Sequence, residues 1–173
     1  MNVVLVEPEI PPNTGNVARL CAATGATLHL IEPFGFALED KHLKRASLDY
    51  WQHLAWHRWA GWSEFEKQLP PKARLWLIES NGPRNYASVN YAPGDYLVFG
   101  RETAGLPKPI LERYRDGWLR IPMFHDRVRS LNLSNCVALV LYEALRQQRF
   151  AGEVRQGNAG RRGFGSPRAG EEL

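Results

Sequence analysis

Residues 121–149 read IPMFHDRVRSLNLSNCVALVLYEALRQQR, a polar loop that runs directly into an apolar stretch. The apolar residues recur at helical spacing and predict a helix from about Leu133 to Arg149 that buries a broad face. Asn132, Ser134 and Asn135 lie where this helix would begin, and their side-chain oxygens can cap its free amides. The positive end of the helix can also attract a ligand, although capping alone explains these three residues equally well. The apolar positions are Leu131, Cys136, Val137, Ala138, Val140, Leu141, Ala144 and Leu145.

Two other stretches share this design. Residues 7–19 (EPEIPPNTGNVAR) and residues 97–107 (LVFGRETAGLP) each follow or include an apolar, strand-like run and contain a glycine-punctuated polar loop that leads into a helix. Strands that alternate with helices predict an α/β fold with a mostly parallel sheet flanked by helices. The loops after parallel strands meet at one edge of the sheet, so a crevice is expected there. Its expected loops are residues 79–83, 100–105 and 122–131.

Short apolar runs locate the individual strands. Strands are predicted near residues 2–6, 27–31, 54–57, 74–78, 96–99 and 118–121. Helices are predicted near residues 63–69 and from Leu106 toward Tyr114.

The helix after the first strand carries candidate site residues. We expect Asn13 or Thr14 to cap it and Gly25 to end it. Because the loop before this helix lies at the carboxyl end of the first strand, Asn13, Asn16 and Arg19 are expected to face the crevice.

Composition limits the class of protein. The 173 residues are 44% hydrophobic and 23% charged, which suits one globular domain with its own core. No apolar run approaches the ~18 residues of a membrane helix, and no secretory leader is apparent, so a cytoplasmic protein without a membrane partner is expected. The net charge of +4 and the pI near 9.3 favour a polyanionic partner without proving one.

The last residues differ from the rest in composition. Residues 151–173 contain six Gly and four Arg with few apolar side chains, which predicts a flexible tail after a single domain of residues 1–150. Residues 160–165 loosely resemble Arg/Gly-rich RNA-binding segments, but solvated disorder is the simpler interpretation.

The cysteines and histidines do not predict a metal site. His53 and His57 have the i,i+4 spacing of metal ligands, but no Glu lies between them and no third ligand is apparent. Cys21 and Cys136 lie in apolar helical patterns and are expected to be buried, inert thiols.

Together, residues 7–19, 97–107 and 121–149 resemble the motifs of the SPOUT superfamily of RNA methyltransferases, and within it the tRNA 2′-O-methyltransferases that act on cytidine or uridine at the wobble position. The resemblance covers roughly residues 1–150, and its specificity lies in the order and spacing of three motifs that are weak singly. It implies S-adenosylmethionine as methyl donor, a ribose 2′-hydroxyl of the tRNA anticodon loop as acceptor and a homodimer. It also implies a deep trefoil knot near the C terminus, which general experience of folds disfavours.

The resemblance also assigns roles to residues. Arg19 matches the basic residue described as catalytic. Because a guanidinium stays protonated, we expect Arg19 to stabilise the developing alkoxide electrostatically and not to act as a general base. The residues that match cofactor-binding positions are Ile78, Gly100, Glu102, Ile121, Ser130, Leu131 and Asn135. The expected substrate-binding residues are Asn13, Asn16, Arg129 and Ser134.

Chemistry gives some of the expected cofactor contacts a physical reason. Ile78, Ile121 and Leu131 are apolar and can hold the faces of an adenine ring while backbone groups read its edge. Gly100 is expected to let the ligand approach closely, since it has no side chain.

Some residues depart from the family pattern, and two other functions compete with this interpretation. Ala104 stands where the family often has a basic residue, and residues 125–129 lie in a loop that varies, so the choice of tRNA is not predicted. A nicotinamide-dependent oxidoreductase is disfavoured because no G-x-G-x-x-G follows the first strand. A noncatalytic RNA-binding protein would explain the basic charge, but not Arg19 or the crevice.

Overall fold

The computed structural model describes residues 1–37 and 50–154 of the chain. In these ranges seven strands form one sheet, and every pairing between them is parallel. The strands are β1 Asn2–Val6, β2 Thr27–Ile31, β3 Trp56–Trp59, β4 Leu75–Ile78, β5 Arg84–Asn85, β6 Tyr96–Phe99 and β7 Trp118–Arg120. Their spatial order is β3-β2-β1-β6-β4-β7-β5. The α/β class with a parallel sheet is confirmed.

Helices cover both faces of the sheet. They are α1 Pro11–Thr24, α2 Trp62–Lys67, α3 Lys108–Arg113 and α4 Leu133–Gln147, with 3-10 turns at Trp51–His53, Tyr86–Ser88 and Arg115–Gly117. Side chains of β1 alternate between two cores: Val3 and Leu5 pack with residues of α1 and α4, whereas Val4 and Val6 pack with residues of α2 and α3. This alternation is why a buried parallel strand reads as a continuous apolar run.

Several predicted boundaries were wrong. Helix α1 begins at Pro11 with Ile10 as N-cap and no side-chain cap, so neither Asn13 nor Thr14 caps it. Proline suits the first helical positions, where an N–H has no partner to lose. Gly25 ends α1 in the left-handed region, at φ 68°, as predicted.

The remaining shifts are small. Strand β3 lies at Trp56–Trp59, two residues beyond the prediction, and β5 was not predicted because Arg84 and Asn85 carry no apolar pattern. Helix α4 ends at Gln147, and Leu131 lies before it in an exposed loop, so Leu131 is not part of its buried face. Burial raises the pKa of the Cys21 thiol to about 12, which agrees with an inert cysteine.

The segment between β4 and β5, residues 79–83, crosses β7 near one edge of the sheet. Strand β7 lies between β4 and β5, although β5 follows β4 in the chain, so residues 79–83 cross the carboxyl end of β7. A Cβ on Gly82 would overlap the Leu119 carbonyl, and only glycine fits the crossing. Arg120 Nη1 donates to the carbonyls of Gly82 at 3.1 Å and Pro83 at 2.7 Å. The chain then continues past this crossing to α4, as the implied trefoil knot requires.

The predicted C-terminal tail is described only in part. Of the predicted tail, residues 155–173 lie outside the described residues, and residues 151–154 are exposed. Within the described ranges, no helix combines the length and the apolar character needed to cross a membrane.

Candidate functional site

A cavity of about 510 Å³ opens at the carboxyl ends of β4, β6 and β7. The three predicted loops form its walls, and Ile10 and Asn13 at the start of α1 close one side. The volume lies within the usual range for small-molecule sites, which is about 300–1,000 Å³.

Most of the predicted site residues come together here. The predicted cofactor-binding residues that line the cavity are Ile78, Gly100, Glu102, Ile121, Ser130 and Leu131. Asn13 and Arg129 line it from the predicted substrate-binding set. Asn16, Ser134, Asn135 and Arg19 are not among the lining residues of their own chain, and Asn16, Asn135 and Arg19 are exposed. The roles assigned to all of these residues stay predictions.

Two glutamates tie the start of α1 to the loop after β6. The Glu102 carboxylate accepts from the backbone N–H groups of Glu9 and Ile10 and from Asn13 Nδ2, at 2.9, 3.3 and 3.0 Å. The Glu9 carboxylate accepts in turn from the backbone N–H of Thr103 at 3.0 Å and from its hydroxyl. We call this reciprocal set the loop clasp. It fixes two segments whose bonded residues are 89 to 94 positions apart in the chain.

A third glutamate, Glu79, holds the end of the turn formed by residues 100–106. The Glu79 carboxylate accepts from the backbone N–H of Leu106 at 2.6 Å, and its oxygens lie where a side chain on Gly105 would stand. Gly105 has φ 68°, so glycine is favoured there for its conformation as well. Burial raises the pKa of Glu79, and the Leu106 N–H lowers it in part.

Gly100 has a structural role in the turn that the sequence did not predict. It lines the cavity, but a Cβ on Gly100 would overlap the backbone of Gly105 and Leu106. Arg101 and Gly105 exchange backbone hydrogen bonds at 3.1 and 2.9 Å, which closes the turn directly over Gly100. The glycine is therefore needed for the turn to close, and the expected close approach of a ligand to Gly100 stays a prediction.

The start of α4 joins the same network. Asn132 caps the helix by accepting from the Ser134 N–H at 2.9 Å, and it donates through Nδ2 to Asn13 Oδ1 at 2.8 Å. Asn13 thus connects Glu102 to Asn132, and the predicted capping function at this helix start is confirmed for Asn132.

Arg19 lies on the exposed face of α1. Its guanidinium carbon lies 5.0 Å from the ring centroid of Tyr50, within the range of a cation–π contact. This contact holds the cation over an aromatic face while the N–H groups at its edge can still donate.

The two histidines singled out in the sequence have different surroundings. His57 stacks on His29 at 5.2 Å, and His53 lies in a 3-10 turn. Across residues 1–37 and 50–154, no group of three or more His, Cys, Asp and Glu side chains has metal-binding geometry.

Sequence reasoning missed the acids that hold the site together. Glu9 and Glu79 were not candidates, because their partners lie far along the chain. The one available signal was position, since each glutamate follows a predicted strand within three residues.

Comparisons with known proteins agree with this site. The SpoU rRNA Methylase family model matches residues 1–142. A tRNA (cytidine(34)-2'-O)-methyltransferase of Saccharophagus degradans is 54% identical over 154 residues, covering 87% of this chain and 97% of that protein.

Solved structures give the same result. One described as "Structural insights into the 2-OH methylation of C/U34 on tRNA" has a TM-score of 0.82 and 44% identity over 86% of this chain and 96% of that chain. An AdoMet-bound rRNA methyltransferase from Sinorhizobium meliloti has a TM-score of 0.74 and 26% identity over 84% of this chain and 55% of that chain. The resemblance seen in three motifs is therefore confirmed, and the chain belongs to the SpoU rRNA Methylase family.

Proposed function

We propose that this protein transfers a methyl group from S-adenosylmethionine to the ribose 2′-hydroxyl of the wobble nucleotide, cytidine or uridine 34, in the tRNA anticodon loop. The observation that carries the proposal is the gathering of three separate motifs around one cavity. The relatives named for methylation of C34 or C/U34 on tRNA support it, because they match this chain over 86–87% of its length and over nearly all of their own.

The residues present fit the cofactor. Ile78, Ile121 and Leu131 offer apolar surface for an adenine ring, and the adjoining loops offer backbone donors and acceptors. When bound, S-adenosylmethionine supplies a methyl group on a positively charged sulfur. The chain's own residues would bind it, orient it and exclude water from it.

Arg19 is the proposed catalytic residue. A fixed cation stabilises an alkoxide that develops at the 2′-oxygen and can hold the adjacent phosphate, which orients the ribose. Stacking on Tyr50 reduces the rotamer freedom of an exposed arginine before substrate arrives. Tyr50 is thus a positioning residue for Arg19.

We propose further that the active unit is a homodimer in which Arg19 of one subunit completes the cavity of the other. Arg19 does not line the cavity of its own chain. Exposed apolar side chains suited to a self-complementary patch include Ile10 beside α1 and Leu139 and Tyr142 on α4.

A complementation experiment tests this shared site. Leu131→Trp should fill the cavity and, because Leu131 is an exposed loop residue, leave folding intact. Mixing this chain with an Arg19→Ala chain should restore activity in the heterodimer. Full turnover by a monomer in sedimentation experiments would contradict the dimer, and a dimer without complementation would remove the shared site.

The activity itself is tested by methyl transfer to defined tRNA. Incubation with S-adenosylmethionine, nuclease digestion and mass spectrometry of nucleosides should yield 2′-O-methylcytidine or 2′-O-methyluridine from position 34. A matched tRNA with a 2′-deoxynucleotide at that position should accept no methyl group. Methyl transfer to the deoxy control, or cofactor binding undetectable by calorimetry, would contradict the proposal.

Variants of Arg19 and Tyr50 then test the mechanism. Arg19→Ala should lower kcat by about 100-fold or more, as removal of one oxyanion stabiliser does, while cofactor binding persists. Arg19→Lys should recover only part, since lysine lacks the planar fork. Tyr50→Leu should lower kcat and Tyr50→Phe should restore it, and equal rates for both would remove the positioning role.

The domain boundary is also a proposal. We propose that residues 1–150 suffice for folding and methyl transfer, so truncation after Phe150 should leave thermal stability unchanged. A large loss of stability would show that later residues dock on the domain, and weaker tRNA binding alone would make them a substrate contact.

A further inference from the structure

Arg101 lines the cavity and can present a positive charge to a ligand. It is the second residue of the turn after β6, and the turn sequence GRETAG contains no other basic residue. Its backbone is fixed by the paired hydrogen bonds with Gly105. Its side chain lines the cavity and is 38% exposed, so a ligand and a macromolecule can both reach it.

The two glutamates that line the cavity already accept hydrogen bonds from the protein itself. Glu102 accepts three hydrogen bonds in the loop clasp, and Glu79 accepts from Leu106. The other charged residues of the lining are Arg101 and Arg129. Arg101 and Arg129 are therefore the charged lining residues that can donate hydrogen bonds to an anionic ligand.

Arg101 is held near an acid without being satisfied by it. Its Nε lies 3.3 Å from Glu7 Oε2, but the N–H is not aligned for a hydrogen bond, and Nε is buried with no hydrogen-bond partner among the described residues. A buried donor without a partner is costly and rare, so the protein alone does not fully satisfy this guanidinium. Glu7 itself has φ 52°, which is unusual for a residue other than glycine and is typical of functional sites.

We propose that Arg101 binds a backbone phosphate of the substrate RNA next to the methylated nucleotide. This inference rests on the proposed function. Planar guanidinium groups match phosphate oxygens through two parallel N–H bonds. Arg101 lies beside Glu7 after the end of β1, and Thr103 bonds to Glu9 just before α1. The apolar side chains suited to an adenine ring belong instead to the end of β4, the residue after β7 and the loop before α4. The carboxylate of the cofactor is the other anion with this chemistry, and the experiment separates the two.

The test compares two affinities in one set of variants. Arg101→Ala should weaken tRNA binding about tenfold, which corresponds to one charge-assisted hydrogen bond, and should leave S-adenosylmethionine affinity unchanged. The slope of log Kobs against log salt should fall by about 0.7–0.9, the value for one lost phosphate contact. Arg101→Lys should restore the salt slope but only part of the affinity.

Two matched variants exclude a structural explanation. Arg113→Ala removes an equal charge from the end of α3, where Arg113 pairs with Glu66 at 2.7 Å, and should change neither affinity nor slope. Glu7→Gln removes the acid beside Arg101 and should retain tRNA binding. If Arg101 only anchored Glu7, then Glu7→Gln and Arg101→Ala would weaken tRNA binding equally, and the proposal would fail.

Two further outcomes would overturn it. Wild-type affinity and salt slope in Arg101→Ala would remove the phosphate contact, and weaker S-adenosylmethionine binding with normal tRNA binding would assign Arg101 to the cofactor carboxylate. Either result could occur in a protein that still methylates tRNA. The proposed function would fail separately, through a wild-type protein that transfers no methyl group.

Discussion

The two rims of the cavity are held in opposite ways. On one rim, the loop clasp and Glu79 fix residues 100–106 through hydrogen bonds to distant parts of the chain. On the other rim, the described hydrogen bonds of residues 122–131 stay within the segment or reach the first turn of α4, and Phe124 is 98% exposed. The first rim is therefore set before a ligand binds, whereas the second can be ordered by one.

The largest loss of stability is expected when the turn of residues 100–106 is forced open. Gly100→Ala places a methyl group into the backbone of Gly105 and Leu106, so we expect a loss of about 3 kcal/mol in the free energy of unfolding. Urea denaturation measures it. Gly61→Ala is the matched control, because a Cβ there meets nothing within 4 Å. Equal midpoints for the two variants would show that the turn shifts freely.

Removing the clasp should have a somewhat smaller effect. Glu102→Ala leaves the N–H groups of Glu9 and Ile10 and the Asn13 amide without their acceptor, and part of that loss is recovered by water. We expect about 2 kcal/mol of destabilisation and faster amide exchange at Glu9. Glu102→Gln keeps one acceptor oxygen and should lose less. Unchanged exchange in Glu102→Ala would show that other contacts hold the rim.

The third glutamate gives a pH-dependent version of the same test. Burial raises the pKa of Glu79, so the folded protein binds this proton more tightly than the unfolded chain does. The stability that this difference contributes is fully present below the ordinary glutamate pKa and is lost as the pH rises through the raised pKa. Glu79→Gln keeps an acceptor for Leu106 without a charge. It should raise the urea midpoint slightly at pH 7 and not at pH 4. A midpoint that falls at pH 7 would show that the Leu106 bond needs the ionised carboxylate.

The exposed rim should give the smallest effect on stability. Phe124→Ala removes a large side chain that contacts almost nothing in the described structure, so the free energy of unfolding should change by less than about 0.5 kcal/mol. Thermal unfolding with and without S-adenosylmethionine checks this. A clear loss without ligand would mean that Phe124 is buried in the assembled protein.

The same contrast explains what could be predicted from sequence. The strands around Val3–Val6, Leu28 and Leu97, and helix α4, follow from apolar periodicity, since each buries a continuous or helical set of side chains. Seven of the eight predicted site residues that line the cavity lie in the three motifs, and Ile78 lies just before the predicted loop of residues 79–83.

What the sequence did not reveal depends on distant partners. The bonds of Glu102 to residues 9–13 join positions 89–93 residues apart, and no local pattern encodes them. The start of α1 was misplaced because prolines at its first positions replaced the expected side-chain cap. The reason for Gly100 lay in the backbone of Gly105, which becomes visible only when the turn has closed.

The crossing of residues 79–83 over β7 has a consequence for the denatured protein. Denaturant removes the Arg120 bonds to Gly82 and Pro83 but does not cut the chain, and the crossing disappears only when the C-terminal segment slides back out. A mechanically stretched or urea-treated molecule would then keep its entanglement as a tightened loop. Such a chain has already completed the step that a newly synthesised chain must still make, so its return to the native state should be the faster of the two.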